Sequence, residues 1–204
     1  MAEGTQAAAK LLEGLGHNVE EARFEVSGDE FWHHFWAVWS VWLMGILDEA
    51  KKKAGRDLDD GDFEPWTRAV GALMGTKHSM EDVEKALGYF TELGTNHRAF
   101  LQEYDIALTP VVSEPPQVHG AQDPRVGDFE AMSKILTDYV NFTALHNATG
   151  VPSVSLPVAW AKNGLPLGTL FSADYGQEAK LLHLAYEVEE AAPWANRRPP
   201  HGAF

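Results

Sequence analysis

The hydrophobic period of this chain changes between Tyr104 and Ile106. Upstream, apolar residues recur at helical spacing: Phe31, Phe35, Trp39, Trp42 and Ile46, broadened by Trp32, Trp36, Leu43 and Leu47, and later Val83, Leu87, Phe90, Leu93, Phe100 and Leu101. Downstream, the apolar runs are short and partly β-branched: "IALTPVV" at 106–112, "VPSVSLPV" at 151–158 and "LPLGTLF" at 165–171, bounded by Pro, Gly and Asn. A stripe with a period of 3.6 cannot lie flat as a strand, and an alternating run gives a helix no continuous apolar face. The pattern therefore specifies a mixed α/β fold, a sheet flanked by helices, with a mainly helical layer over 27–104 and a strand-rich core over 105–194 within one domain spanning 1–204.

Local signals punctuate both parts. "TQAAAKLLEGLG" has Thr5 as an N-cap and Gly14 and Gly16 as stops, and leads into an expected strand at "NVEEARFEV", residues 18–26. "RDLDDGD" is a polar break, Pro65 suits a first helical turn, and "SMED" from Ser79 to Asp82 has the form of a capping box with Asp in the acidic position. The run 106–112 is expected to be a buried strand with a rigid exit at Pro115 and Pro116. Asp128 caps a helix through Phe129, Met132, Leu136 and Tyr139, and Gly150 stands where a helix end needs a left-handed residue. Asn163-Gly164 turns the chain between the last two strands, within a connection longer than a two-residue hairpin. A closing helix carries Ala179, Leu182, Ala185, Tyr186 and Val188 and stops at Pro193. No internal repeat or flexible linker is visible.

Composition removes several classes of function. A formal charge of -14 repels nucleic acid and anionic membranes, and the basic clusters Lys51–Lys53 and Arg197–Arg198 are too small to reverse it. The longest apolar run, Phe35–Leu47, is too short to span a bilayer. There is no Cys and no signal-peptide pattern, so a cytoplasmic protein without thiol chemistry is expected. The nine His, including His17, His119, His183 and His201, are scattered without the spacing of a zinc site, and no metal or cofactor is expected. "GLG" at 14–16 lacks the third glycine of a dinucleotide loop and precedes a strand. Asn147-Ala148-Thr149 fits a glycosylation acceptor, but reads better as a polar helix end. Ser153 and Ser155 lack a G-x-S-x-G elbow and alternate with Val154 and Leu156, as structural strand residues do.

Four segments, in order, carry a resemblance: "YDIALTPVVSEPP", "FTALHNATGVPSVSLPV", "NGLPLGTLF", and "KLLHLAYEVEEAAPW" with its Pro-rich exit. Together they resemble the C-terminal half of amidase-signature hydrolases, most specifically from Phe142 to Phe171. The opening "AAAKLLEGLGHNVEEA" is similar to the helix leading to a strand in the middle of that domain. The resemblance implies a hydrolase of carboxamides in which a Ser nucleophile is activated by a second Ser and by a Lys kept neutral in a buried site, with loop N–H groups holding the oxyanion. Those parts belong to the N-terminal half of such enzymes. Here there is no Gly/Ser-rich loop and no two Ser are adjacent, so catalytic residues are expected to be absent and the chain to be inactive alone.

The resemblance also implies where substrate would be met. Thr109 and Pro110, then Phe142, Thr143, His146 and Asn147, lie on the segments that follow strands or enter the next helix, with Trp32 and Trp36 as outer-wall residues. In glutaminase subunits of this family, an acidic residue seven positions before the Asn holds the glutamine amino group; that position is Val140 here, which disfavours glutamine. The aromatic run from Phe31 to Trp42 suits a more apolar amide, such as an acyl or aryl amide or a linear or cyclic oligoamide. The implied partners are a small-molecule amide and a complementary N-terminal half or a second copy. Two other readings stay open: a non-catalytic binding or regulatory module built on the same fold, and an enzyme with unrecognised chemistry.

Overall fold

In the computed structural model, which describes residues 1–59, 61–125 and 128–198, the elements follow in the order α1 (Ala2–Leu15), α2 (Gly28–Ala54), α3 (Pro65–Gly71), α4 (Met80–Glu103), β1 (Ala107–Pro110), α5 (Phe129–Tyr139), α6 (Thr143–Thr149), β2 (Ser153–Trp160), β3 (Pro166–Ser172) and α7 (Glu178–Ala191). His201 and the Pro199-Pro200 exit lie outside the described residues.

Helix ends form where the side chains dictate. The Ser27 hydroxyl accepts from the Glu30 backbone N–H at 3.4 Å and opens α2, whose last turn carries Lys51, Lys52 and Lys53 against the negative end of the helix dipole. At α4 the expected box is reciprocal: the Ser79 N–H donates to the Asp82 carboxylate at 2.8 Å, and the Asp82 N–H donates to the Ser79 hydroxyl at 3.3 Å. The Ala131 N–H donates to the Asp128 carboxylate at 3.1 Å and starts α5. Gly150 ends α6 at φ 71°, a conformation in which a Cβ would be strained.

Among the described residues, 1–23, 96–116 and 140–198 form one compact unit, and those within 24–95 and 117–139 form the other. In the first, β3 lies between β1 and β2, and both pairings are antiparallel. The resemblance implies a mixed sheet; the pairings among the described residues are antiparallel throughout. Opposite residues share a face, so Phe171, Leu108 and Val154 lie on one side, while Ser172, Ala107 and Ser153 lie on the other with Leu170, Thr109 and Ser155. The first side is apolar: Phe171, fully buried, packs with Leu156 against Ala8 and Leu12 of α1 and Leu181, Leu184 and Val188 of α7. The register slips by one residue between Leu156 and Ala159, where Pro157 has no N–H to give the ladder.

In the second unit, Trp36, Leu43, Val70 and Leu73 form a core extended by Trp39, Trp66 and Phe129. The Trp36 ring meets Phe129 and Trp66 edge-on, with centroids 5.2 and 6.1 Å apart, and α2 and α3 approach closely at Gly71.

Three expectations change. Residues 18–26 are not a strand: Phe24 and Val26 are half-buried between exposed neighbours, so the alternation exists, but no described strand pairs with them, and a strand needs its ladder. Thr5 lies inside α1, which begins at Ala2, and its buried hydroxyl has no partner among the described residues. The run 106–112 forms only a four-residue strand and is half-buried.

Candidate functional site

One face of the sheet carries the hydroxyls of Ser153, Ser155, Ser172 and Thr109. Ser153 donates to the Ser172 hydroxyl oxygen at 3.1 Å, and Ser172 lies 2.8 Å from His146 Nε2 on α6. His146 Nδ1 is 3.0 Å from the Phe142 carbonyl, which can only accept, so Nδ1 carries the proton and Nε2 accepts from Ser172. A second imidazole, His97 on α4, places Nδ1 3.1 Å from the Thr149 hydroxyl, and the two rings meet edge to face with centroids 5.6 Å apart. Burial holds His97 down to about 4, with His146 adding to the depression. Burial also lowers His146, against the opposing effect of its bond to the Phe142 carbonyl. Both rings are therefore neutral at pH 7.

This arrangement contains a hydroxyl hydrogen-bonded to a neutral, oriented imidazole, the geometry of an activated nucleophile. Access decides against that role. Ser172 is 1% exposed, ends β3 paired with both Ala107 and Ser153 rather than standing on a turn, and accepts a hydrogen bond from Ser153. The network fixes α6 to the sheet.

The residues expected at a substrate site divide as follows. Thr109 lies on β1 opposite Leu170; its hydroxyl is buried and without a partner among the described residues. Pro110 lies opposite Thr169 and ends the strand. Phe142 caps α6, Thr143 and Asn147 belong to its turns, and Asn147 is exposed. Asn141 Nδ2 donates to Ser113 Oγ at 2.9 Å, drawing the approach to α6 onto the exit from β1. The structure thus brings the 109–113 and 141–147 segments together, with both His146 ring nitrogens taken by internal bonds. Trp32 and Trp36 belong to the other unit, where Trp36 is buried and the two indoles stack at 6.0 Å.

Sequence reasoning missed His97, Thr149 and Ser172. They meet their partners across 26 to 52 residues of chain, and no local pattern announces such pairings. At the end of β3, Asp174 accepts from Arg98 Nε and Gln102 Nε2, each at 3.1 Å, which holds its carboxyl below the usual range. Among the described residues no group of three or more His, Cys, Asp or Glu is arranged for a metal ion, and no helix is long and apolar enough to cross a membrane.

The sequence comparisons agree with one another. The family model described as Amidase matches residues 1–182. The chain belongs to the amidase family. Putative amidase AmiC of Mycobacterium tuberculosis is 34% identical over 197 residues, covering 97% of this amidase-family chain and 41% of the relative. The 6-aminohexanoate-cyclic-dimer hydrolase of Paenarthrobacter ureafaciens is 28% identical over 206 residues, with the same two coverages. A solved structure of 6-aminohexanoate cyclic dimer hydrolase in complex with substrate superimposes with a TM-score of 0.83 at 22% identity, covering 98% of this chain and 42% of that one. The chain spans about 41% of the length of the curated relatives it matches.

Proposed function

We propose that this chain is the C-terminal portion of an amidase that hydrolyses carbon–nitrogen bonds in apolar carboxamides, and that it supplies substrate-contacting segments rather than the nucleophile. The observation that carries the reading is the family match over 1–182 in a sequence with no Gly/Ser-rich loop and no adjacent serines. The chain's hydroxyl–imidazole pair, Ser172–His146, is too buried to attack a carbonyl, because the two reacting atoms must approach to about 3 Å. Alone, the chain is inactive.

Substrate meets the exit of β1 and the start of α6: Thr109, Phe142, Thr143 and Asn147, with His146 as a positioning residue. Val140 in place of an acidic residue, together with the likeness to hydrolases of a cyclic oligoamide, supports an uncharged amide over glutamine. The complementary partner is the remaining part of an amidase chain. Supporting this, β1 and β2 are the outer strands of a three-stranded sheet, and Leu182 and Tyr186 stand exposed one turn apart on α7.

The test is to assay an anilide and the cyclic 6-aminohexanoate dimer with the chain alone and with the separately expressed remaining part of an AmiC-type amidase, alongside fluorophosphonate labelling and sedimentation. Activity and a heteromeric species only in the mixture are expected. Stoichiometric serine labelling or turnover by the chain alone overturns the absence of a nucleophile. A monodisperse monomer indifferent to the added part replaces the proposal with a self-sufficient binding module.

A further inference from the structure

We infer that the Ser153–Ser172–His146 chain and the facing His97 form an acid-operated latch, in which uptake of one proton by the imidazole pair reverses the hydroxyl chain and loosens α6 from the sheet.

The direction of each bond supports this. At neutral pH protons point inward, Ser153 to Ser172 to His146 Nε2, and His146 Nδ1–H is committed to the Phe142 carbonyl. A proton arriving from a solvent acid at His146 turns Nε2 into a donor. Ser172 must then accept from His146 and send its own proton to Ser153, whose oxygen is the available acceptor. Ser153 is exposed, so it in turn donates to water, and each group still carries its full complement of hydrogens. The reversed chain replaces an internally satisfied network with one that ends in solvent and buries a cation.

The groups facing the pair explain why one proton suffices. From α4, His97 faces His146 at 5.6 Å between centroids; β2 and β3 present the hydroxyls of Ser153 and Ser172; α6 itself presents the Thr149 hydroxyl, which bonds His97 Nδ1 and the Leu145 carbonyl. The adjacent charges on α4 and after β3, Arg98 and Asp174, are paired with each other. A charge on one ring therefore meets a second ring rather than a carboxylate, and opposes a second protonation. Because α6 carries Thr143 and Asn147, the latch ties protonation to the placement of those side chains.

The experiment follows histidine ring signals by NMR and amide exchange of 143–149 in the 204-residue chain as pH falls from 7 to 4. Amide exchange is corrected for its intrinsic pH dependence. Two ring signals titrating below the chain's exposed histidines, with loss of α6 protection in step, is the expected result. The variant His146→Gln keeps an acceptor for Ser172 but cannot take the proton, and combined with His97→Asn it should make α6 protection flat across the window. Ser153→Ala removes the acceptor for the reversed chain and should shift the His146 titration lower by about half a unit to one unit. Protection that is flat in the wild type, or equally pH-dependent in the double variant, overturns the latch. If the double variant fails to fold, the wild-type titration and Ser153→Ala decide: an unshifted His146 signal in Ser153→Ala overturns the hydroxyl reversal.

Discussion

Replacing Gly168 by Ala tests how closely β3 is packed beneath the exit of β1. A methyl at this position would sit 2.9 Å from Val111 Cγ2, 3.6 Å from Val111 Cβ and 3.1 Å from Ser155 Oγ. Carbon atoms in contact prefer about 3.5–4.0 Å, so Val111 must retreat by more than half an ångström. Its branched Cβ leaves it few rotamers in which to do so, whereas the Ser155 hydroxyl can turn away. Overpacking of this kind costs about 1–3 kcal/mol, and exchanging Gly for Ala in an extended segment returns about 0.5–1 kcal/mol by restricting the unfolded chain. A net loss of about 1 kcal/mol is expected from urea unfolding followed by circular dichroism. The cause is isolated by a cycle with Val111→Ala, which removes the atoms in conflict: the double variant should be more stable than the sum of the two changes by about 1 kcal/mol. Additive effects, or a stabilised single variant, would refute the claim that Val111 and not general strand propensity sets the requirement for glycine.

Phe171→Ala empties the centre of the first unit, where the ring is fully buried, and should cost about 3–5 kcal/mol in chemical denaturation. Ser79→Ala removes the hydroxyl that accepts from the Asp82 N–H, leaving the Ser79 N–H on the Asp82 carboxylate, and should cost about 1 kcal/mol, with Ser79→Gly losing less. Stability should fall on acidification from about pH 6.5 toward 4. His97 is kept neutral in the fold but protonates when the chain unfolds, so the unfolded state binds the extra proton and the stabilisation present above 6.5 disappears through that window. His97 should contribute up to about 1.4 kcal/mol per pH unit, and a His97→Asn variant should lose that share while keeping the share of His146, which burial also lowers. The carboxylates Asp62 and Asp123, held down to about 2 by Arg56 and Arg125, act only at lower pH, so denaturation midpoints measured between pH 4 and 7 separate the two effects.

The sequence by itself determined what short-range chemistry determines. The caps at Ser27, Ser79 and Asp128, the left-handed glycines at 150 and 164, the aromatic stripe of α2 and the paired runs of β2 and β3 all depend on residues within about a turn or a hairpin of one another. Four ordered segments likewise made the amidase resemblance legible. The tertiary structure decided whatever needed a distant partner. The alternation at 18–26 is as regular as that of a strand, yet no described strand pairs with it and it forms none. Ser153 was readable as structural from its alternation, but its bond to Ser172, and through it to His146, exists only because β2 pairs with β3 and α6 settles on their polar face. His97 lies 49 positions from His146 in the chain, and its depressed basicity arises from burial beside that ring, a property of the packed interior that no local pattern encodes.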